Sequence, residues 1–180
     1  DVKDWVLDWP TDPKVTYPRQ FVTAEDVARA RKTADTNPFK DELLKLPYYI
    51  EDAKKAKALA EKAATTRGVA KQVLFRGGYM NLPWLQGFHQ ANYAGWTREA
   101  DAALSLDIDP VLRKRLRAVL AAMAYAASEP DVNRRGCGVH QGNPNMPIRR
   151  FLVMPHIAAV IPDHPRAKEW LEVSAQFVRW

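Results

Sequence analysis

The chain is poor in cysteine, since Cys137 is the only one among its 180 residues. A single thiol excludes an intrachain disulfide framework and gives no indication of a redox compartment. Cys137 stands three residues before His140, a spacing that is too weak by itself to indicate a metal site. No two histidines have convincing metal-ligand spacing either. We therefore expect no metal ion and no cofactor.

Long apolar runs are also missing, because no stretch approaches the ~20 apolar residues that a membrane-spanning helix needs. The opening DVKDWVLDWP has neither an apolar run nor a basic start, so it is not a signal peptide. A signal already removed would leave no trace. The sequence predicts no membrane as a partner.

Acidic residues are outnumbered, with 21 Asp and Glu against 27 Lys and Arg and a net charge of +6. A basic surface favours acidic partners, namely nucleic acid, anionic lipid or anionic polysaccharide, and charge alone does not choose among these. The chain has no zinc-finger spacing, RNP motif or Walker loop. We therefore expect no nucleic acid among its partners.

Alternation of apolar and polar residues, which marks half-buried strands, is almost absent. Helical periodicity runs instead from Thr23 onward, and proline and glycine divide it into segments. This pattern predicts an all-α chain of seven or eight helices in antiparallel hairpins over residues 23–180. Composition leaves a bundle, a solenoid and part of an α/α toroid all open.

Residues 1–22 form a lead-in of a different character, rich in proline and large aromatics. Disordered tails rarely carry so many aromatic residues, so we expect the lead-in to be extended and packed on the helices. Thr23 and Asp26 then have the spacing of a capping box, which predicts the first helix start.

The predicted helices run over Thr23 to about Ala34, Lys40–Leu46, Ile50–Arg67, Val69–Arg76, Pro83–Leu104 and Val111–Ala127, followed by two C-terminal helices. In the first of those two, Pro147 suits the first turn. Pro155 is expected to kink or shorten it, because proline lacks the N–H that a helix interior requires.

The C-terminal quarter carries the most information about function. It reads GCGVHQGNPNM, then the apolar segment PIRRFLVMPHIAAVI, then the turn PDHP, then the amphipathic segment RAKEWLEVSAQFVRW. A polar, glycine-rich loop held between helices is a frequent location for a site. Near the other end stands the phrase YPRQFVTAED, which spans Tyr17 to Asp26.

Both segments, in this order, resemble those of heparinase II/III-like and alginate-lyase-like polysaccharide lyases. There an Asn opens an apolar helix that a Pro-Asp turn and an Ala-x-x-Trp helix follow, and the N-terminal phrase is His-Pro-Arg-Leu-x-x-Thr-x-Glu-Asp. The middle of the chain is similar only in its helix rhythm. The resemblance implies part of an α/α toroid, usually followed by β-sandwich domains, in a secreted or periplasmic enzyme.

The family's catalytic Tyr lies downstream of the Asn loop. The expectation is therefore that this chain is the N-terminal toroid portion of a longer lyase, nearly or wholly inactive alone, whose partners are an anionic polysaccharide and the rest of that longer chain. The implied reaction is β-elimination at a uronic acid. The alternatives are a non-catalytic glycan-binding helical domain and a helical protein-interaction scaffold.

The resemblance places Asn145 at the family's Asn, with Met146 and Arg149 where the family often has His and Glu. An Asn amide can donate hydrogen bonds to the uronate carboxylate as enolate charge develops, without adding a competing base. Met146 cannot transfer a proton, and Arg149 could clamp a carboxylate or sulfate. The alternative for Asn145 is a turn or N-cap residue.

His140 is the local candidate for proton transfer or carboxylate binding, against a plain surface histidine. The other candidate substrate-binding residues, besides Arg149, are Arg150, Arg134, Arg135, Trp84, Tyr79, Asn143 and His89. The arginines would attract a polyanion, unless they form a solvated surface paired with Glu129, Asp131 and Asp163. The aromatics, with Tyr93 and Trp96, would stack on sugar rings unless they belong to the core.

Overall fold

The computed structural model describes residues 4–64, 93–128 and 145–178, and for residues 93–94, 145–151 and 177–178 the backbone alone. The described residues form seven α-helices and no strand, which confirms the predicted all-α class. The helices are α1 (Ala24–Thr33), α2 (Lys40–Leu44), α3 (Ala53–Ala64), α4 (Tyr93–Ser105), α5 (Pro110–Ser128), α6 (Asn145–Val160) and α7 (Ala167–Val178). Two short 3₁₀ turns, Ala34–Thr36 and Pro47–Tyr49, flank α2.

The start of α1 is the predicted capping box. The Thr23 side chain accepts from the Asp26 N–H, and the Asp26 carboxylate accepts from the Thr23 N–H at 2.9 Å. Two of the N–H groups that a helix start leaves unbonded are thereby satisfied. Neither α1 nor α2 contains a buried residue, and both lie against the Ala34–Thr36 turn.

Helix α5 is the centre of the molecule and contacts α3, α4, α6 and α7. It begins where Asp109 accepts from the Val111 and Leu112 N–H groups, with Pro110 in the first turn. One face of α5 is apolar and lies in the core, since Leu116, Leu120 and Met123 are fully buried and Leu112 and Val119 pack against the same core.

The core is built where α5 meets its neighbours. Small alanines on α3 and α4 let these helices approach closely, while larger apolar residues of α5 and α6 fill the space between the elements. Trp96, a candidate for sugar stacking, is instead a core residue that is 7% exposed, and its indole Nε1 donates to the Ala63 carbonyl at 2.9 Å. An indole buried in this way is unavailable to a glycan.

Helix α6 is not shortened at Pro155, which was one of the two expected outcomes. The helix continues through Pro155 to Val160. Val153, Met154 and Ile157, on either side of the proline, are fully buried. Tertiary burial of this apolar segment therefore outweighs the local cost of the missing N–H. Pro147 lies in the first turn, as predicted.

The remaining boundaries follow the predicted breakers. The short helix before Pro47 ends at Leu44, and α3 begins at Ala53 rather than at Ile50. The predicted helix Val69–Arg76, the start of the Pro83–Leu104 helix and most of the glycine-rich loop lie outside the described residues. None of the helices that the structure describes is both long enough and apolar enough to cross a bilayer.

Leu120→Ala is expected to lower the free energy of unfolding by about 2–5 kcal/mol, because it opens a cavity at a fully buried position. Leu171→Ala is the matched control, since Leu171 is 46% exposed and its truncation should cost much less. Urea unfolding followed by circular dichroism measures both. Equal losses in the two variants would contradict the assigned core.

Candidate functional site

Most of the predicted site residues fall outside the described part of the chain. This applies to His140, Asn143, Arg134, Arg135, Trp84, Tyr79 and His89. Asn145, Arg149 and Arg150 lie in the first turns of α6, of which the structure describes the backbone only. Asn145 is the first residue of this helix, so the apolar helix opens at the Asn that the sequence singles out.

The turn between α6 and α7 is the predicted Pro162–Asp163 turn, and it holds a buried ion pair. An Arg117 guanidinium nitrogen donates to Asp163 Oδ2 at 2.9 Å, and the two side chains are only 6% and 3% exposed. Asp163 is therefore not part of a solvated basic surface, as one alternative had it. It joins the centre of α5 to the α6–α7 turn.

The Arg117 side chain is enclosed by residues from before the first helix. Its guanidinium carbon lies 4.3 Å from the centre of the Trp9 ring, a cation–π contact. Its other terminal nitrogen donates to the Tyr17 hydroxyl at 3.3 Å. The Asp12 N–H donates to Asp163 Oδ2 at 3.1 Å. We call residues 4–20, which make these and the following contacts, the N-terminal strap.

The Asp163 carboxyl remains ionised near neutral pH. Burial raises its pKa, but hydrogen bonds from Arg117 and the Asp12 N–H, with the positive charge of Arg117, lower it by more, so the net pKa lies below the ordinary value. The Trp9 indole N–H faces the same carboxylate, although it makes no regular hydrogen bond. The pair is thus a charged structural junction.

His164 lies beside this junction, in the turn as predicted, but it is buried, with 3% exposure. Its Nδ1 accepts from the Arg166 N–H at 3.1 Å, so its proton is on Nε2, which donates to the Val6 carbonyl at 2.9 Å. The ring stacks on Trp170 at 4.5 Å and meets the edge of Trp9 at the same distance. Burial lowers the pKa of His164.

A second polar cluster forms where the strap ends, on α4. The Asp101 carboxylate is fully buried and accepts from the Arg19 N–H at 2.9 Å and the Gln20 N–H at 2.8 Å. Burial raises the pKa of Asp101, and these backbone hydrogen bonds oppose that rise only in part. The carboxylate thus replaces the backbone partners that the extended strap lacks.

The same cluster reaches α6 through Gln20. The Gln20 amide nitrogen donates to the Thr97 hydroxyl at 2.8 Å and also contacts His156 Nδ1. An accepting Nδ1 places the His156 proton on Nε2. Burial lowers the pKa of His156, and the Phe21 ring lies at the edge of the imidazole. His156 is a helix residue, as predicted.

The structure therefore brings together two segments that lie far apart in the sequence. The Arg19 Nε donates to the Ala159 carbonyl at 3.2 Å across 140 positions. With the Gln20–His156 contact, this joins the N-terminal phrase to α6, and the Asp12 N–H joins the strap to the turn that follows it. The proline and aromatic content of the lead-in indicated packing on the helices, but no sequence signal identified Arg117 or Asp101 as its partners.

A small cleft of about 240 Å³ lies between the strap and the start of α5, lined in part by Leu7, Trp9 and three basic residues. Each of these cations already has a partner. Arg113 donates to two carbonyls at the end of α4, Lys114 pairs with Asp8 at 2.7 Å, and Arg117 pairs with Asp163. The cleft therefore offers no uncommitted cation for an anionic ligand.

Within residues 4–64, 93–128 and 145–178, no group of three or more His, Cys, Asp or Glu side chains is placed to hold a metal ion. The chain matches no known family model, no curated protein and no solved structure.

Asp163→Asn is expected to destabilise the fold by about 3–5 kcal/mol, because it leaves the Arg117 charge buried without its counter-ion. Asp8→Asn removes a carboxylate from the exposed Lys114 pair and should cost no more than about 1 kcal/mol. Urea unfolding at neutral pH compares the two variants. A loss below about 1 kcal/mol for Asp163→Asn would contradict the structural role of the ion pair.

Proposed function

We propose that this chain is the helical, toroid-type portion of a polysaccharide lyase that cleaves an anionic, uronate-containing glycan by β-elimination. In this proposal the start of α6 lies at the substrate carboxylate. The main acid/base is supplied from outside this chain, as the position of the catalytic Tyr in the resembling family implies.

One observation carries the proposal. The two segments that resemble the lyase family, residues 17–26 and the α6–turn–α7 unit, are in direct contact in the folded chain, through Arg19 with Ala159 and Gln20 with His156. A chance likeness of two short motifs gives no reason for them to meet in space. Their contact supports the interpretation that both segments belong to one structural unit.

The architecture adds support for the role of Asn145. Helix α6 opens at this residue, and Ala167 and Trp170 of the Ala-x-x-Trp motif form the buried side of α7. The N–H groups of a helix start favour negative charge nearby. These N–H groups would stabilise a uronate carboxylate beside Asn145. The Asn145 amide would add hydrogen bonds as negative charge develops on the enolate.

The net charge of +6 supports an anionic substrate, and Arg149 and Arg150 follow Asn145 by about one turn of helix. A non-catalytic glycan-binding domain remains the second candidate, because Met146 cannot act as a base. Both candidates require binding of an acidic glycan, and only the first requires elimination.

The binding test uses the chain with heparan sulfate, alginate, hyaluronan and chondroitin sulfate, and neutral dextran as the control. We expect binding to at least one uronate glycan, weakened by salt, and none to dextran. Absorbance of the unsaturated uronate product should stay near background for residues 1–180 alone. Robust turnover by this chain would contradict the assignment of the acid/base to another part of the enzyme, and absence of glycan binding would refute the proposal.

Asn145→Ala, in an active enzyme that contains this chain, should lower kcat about 10²–10³-fold with little change in KM, because the amide acts mainly in the transition state. Product absorbance gives both constants. If the variant keeps full kcat while its melting temperature falls, Asn145 is only a helix cap, whose loss costs about 1 kcal/mol.

Arg149→Ala should instead raise KM and reduce the salt sensitivity of binding, because a clamp on a charged glycan acts in ground and transition states alike. Arg115→Ala, on the exposed side of α5, removes the same charge elsewhere and is the matched control. Equal KM changes in the two variants would show that the rise in KM comes from the lost net charge and not from a clamp at Arg149.

A further inference from the structure

We propose that the N-terminal strap is an acid-released latch, in which protonation of His156 and His164 weakens its attachment to the helices. The inference rests on contacts between described residues and does not depend on the function proposed above. It assigns to these two histidines a regulatory role.

The strap has no helix or strand of its own, so its backbone depends on side chains of other elements. Among its anchors, Tyr125 Oη accepts from the Val6 N–H, Asp163 from the Asp12 N–H, and Asp101 from the Arg19 and Gln20 N–H groups. Two further anchors are imidazoles, His164 at Val6 and His156 at Gln20.

His164 fits its site only in the neutral form. A second proton would sit on Nδ1 and face the Arg166 N–H, which now donates to that nitrogen at 3.1 Å. The bond to the Val6 carbonyl would persist, but the new charge would be buried between aromatic rings of Trp9, Tyr125 and Trp170. Such a charge is costly unless an anion pairs with it.

The charged groups around His164 do not supply that anion. Arg117 of α5 and Arg166 of the turn both disfavour a further positive charge. Asp163 favours it but is already paired with Arg117, and the Glu169 carboxylate of α7 accepts from Arg166. The balance therefore opposes protonation while the strap is bound.

His156, at the other end of the strap, also fits its site only in the neutral form. Protonated Nδ1 could no longer accept from the Gln20 amide. If that amide rotated to present Oε1, its NH₂ would leave the Thr97 hydroxyl and move to the buried position where Oε1 now has no hydrogen-bond partner. Of the charged groups that contact the same part of the strap, Asp101 accepts from the Arg19 and Gln20 N–H groups and the Arg19 guanidinium donates to the Ala159 carbonyl.

A fall in pH should destabilise the bound strap. Burial lowers the pKa of both histidines in the bound state, whereas release of the strap exposes them to water and returns them toward the ordinary value of 6.5. Stability of the bound strap is complete above that value and is lost as the pH falls from it toward the lowered pKa values. Within this window each histidine raises the ratio of released to bound strap by about tenfold per pH unit.

Asp101 also contacts the strap. Burial raises the pKa of its carboxyl, and the N–H groups of Gln20 and Arg19 in the bound strap oppose that rise, so the double histidine variant below serves to separate its contribution. Asp163 has a lowered pKa and stays ionised in the window. The histidine effect is therefore measured from about pH 7.5 down to about pH 5.5.

The test is hydrogen exchange of single amides by NMR, corrected for the intrinsic pH dependence of exchange. Protection of the Val6, Asp12 and Gln20 amides should fall at least about tenfold from about pH 7.5 to 5.5, while that of Leu120 in α5 stays constant. Constant strap protection over this range would overturn the proposal.

Two variants separate titration from simple loss of an anchor. His156→Gln/His164→Gln cannot be protonated at either position and should abolish the pH dependence of strap protection. Tyr125→Phe removes the acceptor of the Val6 N–H and keeps both imidazoles, so it should lower protection at every pH and leave the slope unchanged. A slope that persists in the double variant would overturn the proposal.

A histidine titration of the unmodified chain keeps the proposal testable if the double variant does not fold. Both ring resonances should titrate below 6.5. An apparent pKa at or above the ordinary value for both histidines would overturn the latch.

Discussion

The buried ion pair of Arg117 and Asp163 is the interaction on which the arrangement of this chain depends. It connects the central helix α5, the turn between α6 and α7, and the N-terminal strap. Transfer of two charges out of water costs several kcal/mol per ion, and a single hydrogen bond would not offset this. Here Tyr17, the Asp12 N–H and the Trp9 ring surround the pair, so each charge has several partners. The strap contacts therefore offset part of the free energy that burial of the two charges costs. The ion pair, in turn, holds the strap in place.

The Arg117–Asp163 ion pair lies at one end of α6 only. Helix α6 contains 16 residues and is thus about 24 Å long, so the turn at Asp163 lies far from Asn145 at the other end. The ion pair consequently sets the direction of α6 without forming any part of a site at its start. His156 and Ala159, which the strap also contacts, lie in the last turns of the same helix. The strap thus acts on the supporting end of α6, whereas Asn145, Arg149 and Arg150 lie in its first turns at the other end.

The sequence predicted what depends on local chemistry. The Thr23 capping box and the Pro162–Asp163 turn both arise from residues within one or two helical turns of each other. It left open whether Pro155 would kink or shorten α6, because the burial that lets the helix continue comes from contacts with other helices. Nor did it identify Arg117 or Asp101 as buried, since an arginine among the basic residues of α5 and an aspartate in α4 look like surface residues until their distant partners are known. Of the candidate site, the position of Asn145 at the start of α6 and the burial of Trp96 in the core could be compared with the fold.

The two proposals meet in the strap. A lyase-type role needs α6 held in one orientation, and the contacts that hold it are those of Asp163, His156 and Asp101 with strap residues. In the proposed latch, the anchors at His156 and His164 weaken below the ordinary histidine pKa, because burial disfavours their charged forms. The latch and the lyase proposal are thus independent in their chemistry and share only the end of α6 that the strap contacts, whatever substrate the helices bind.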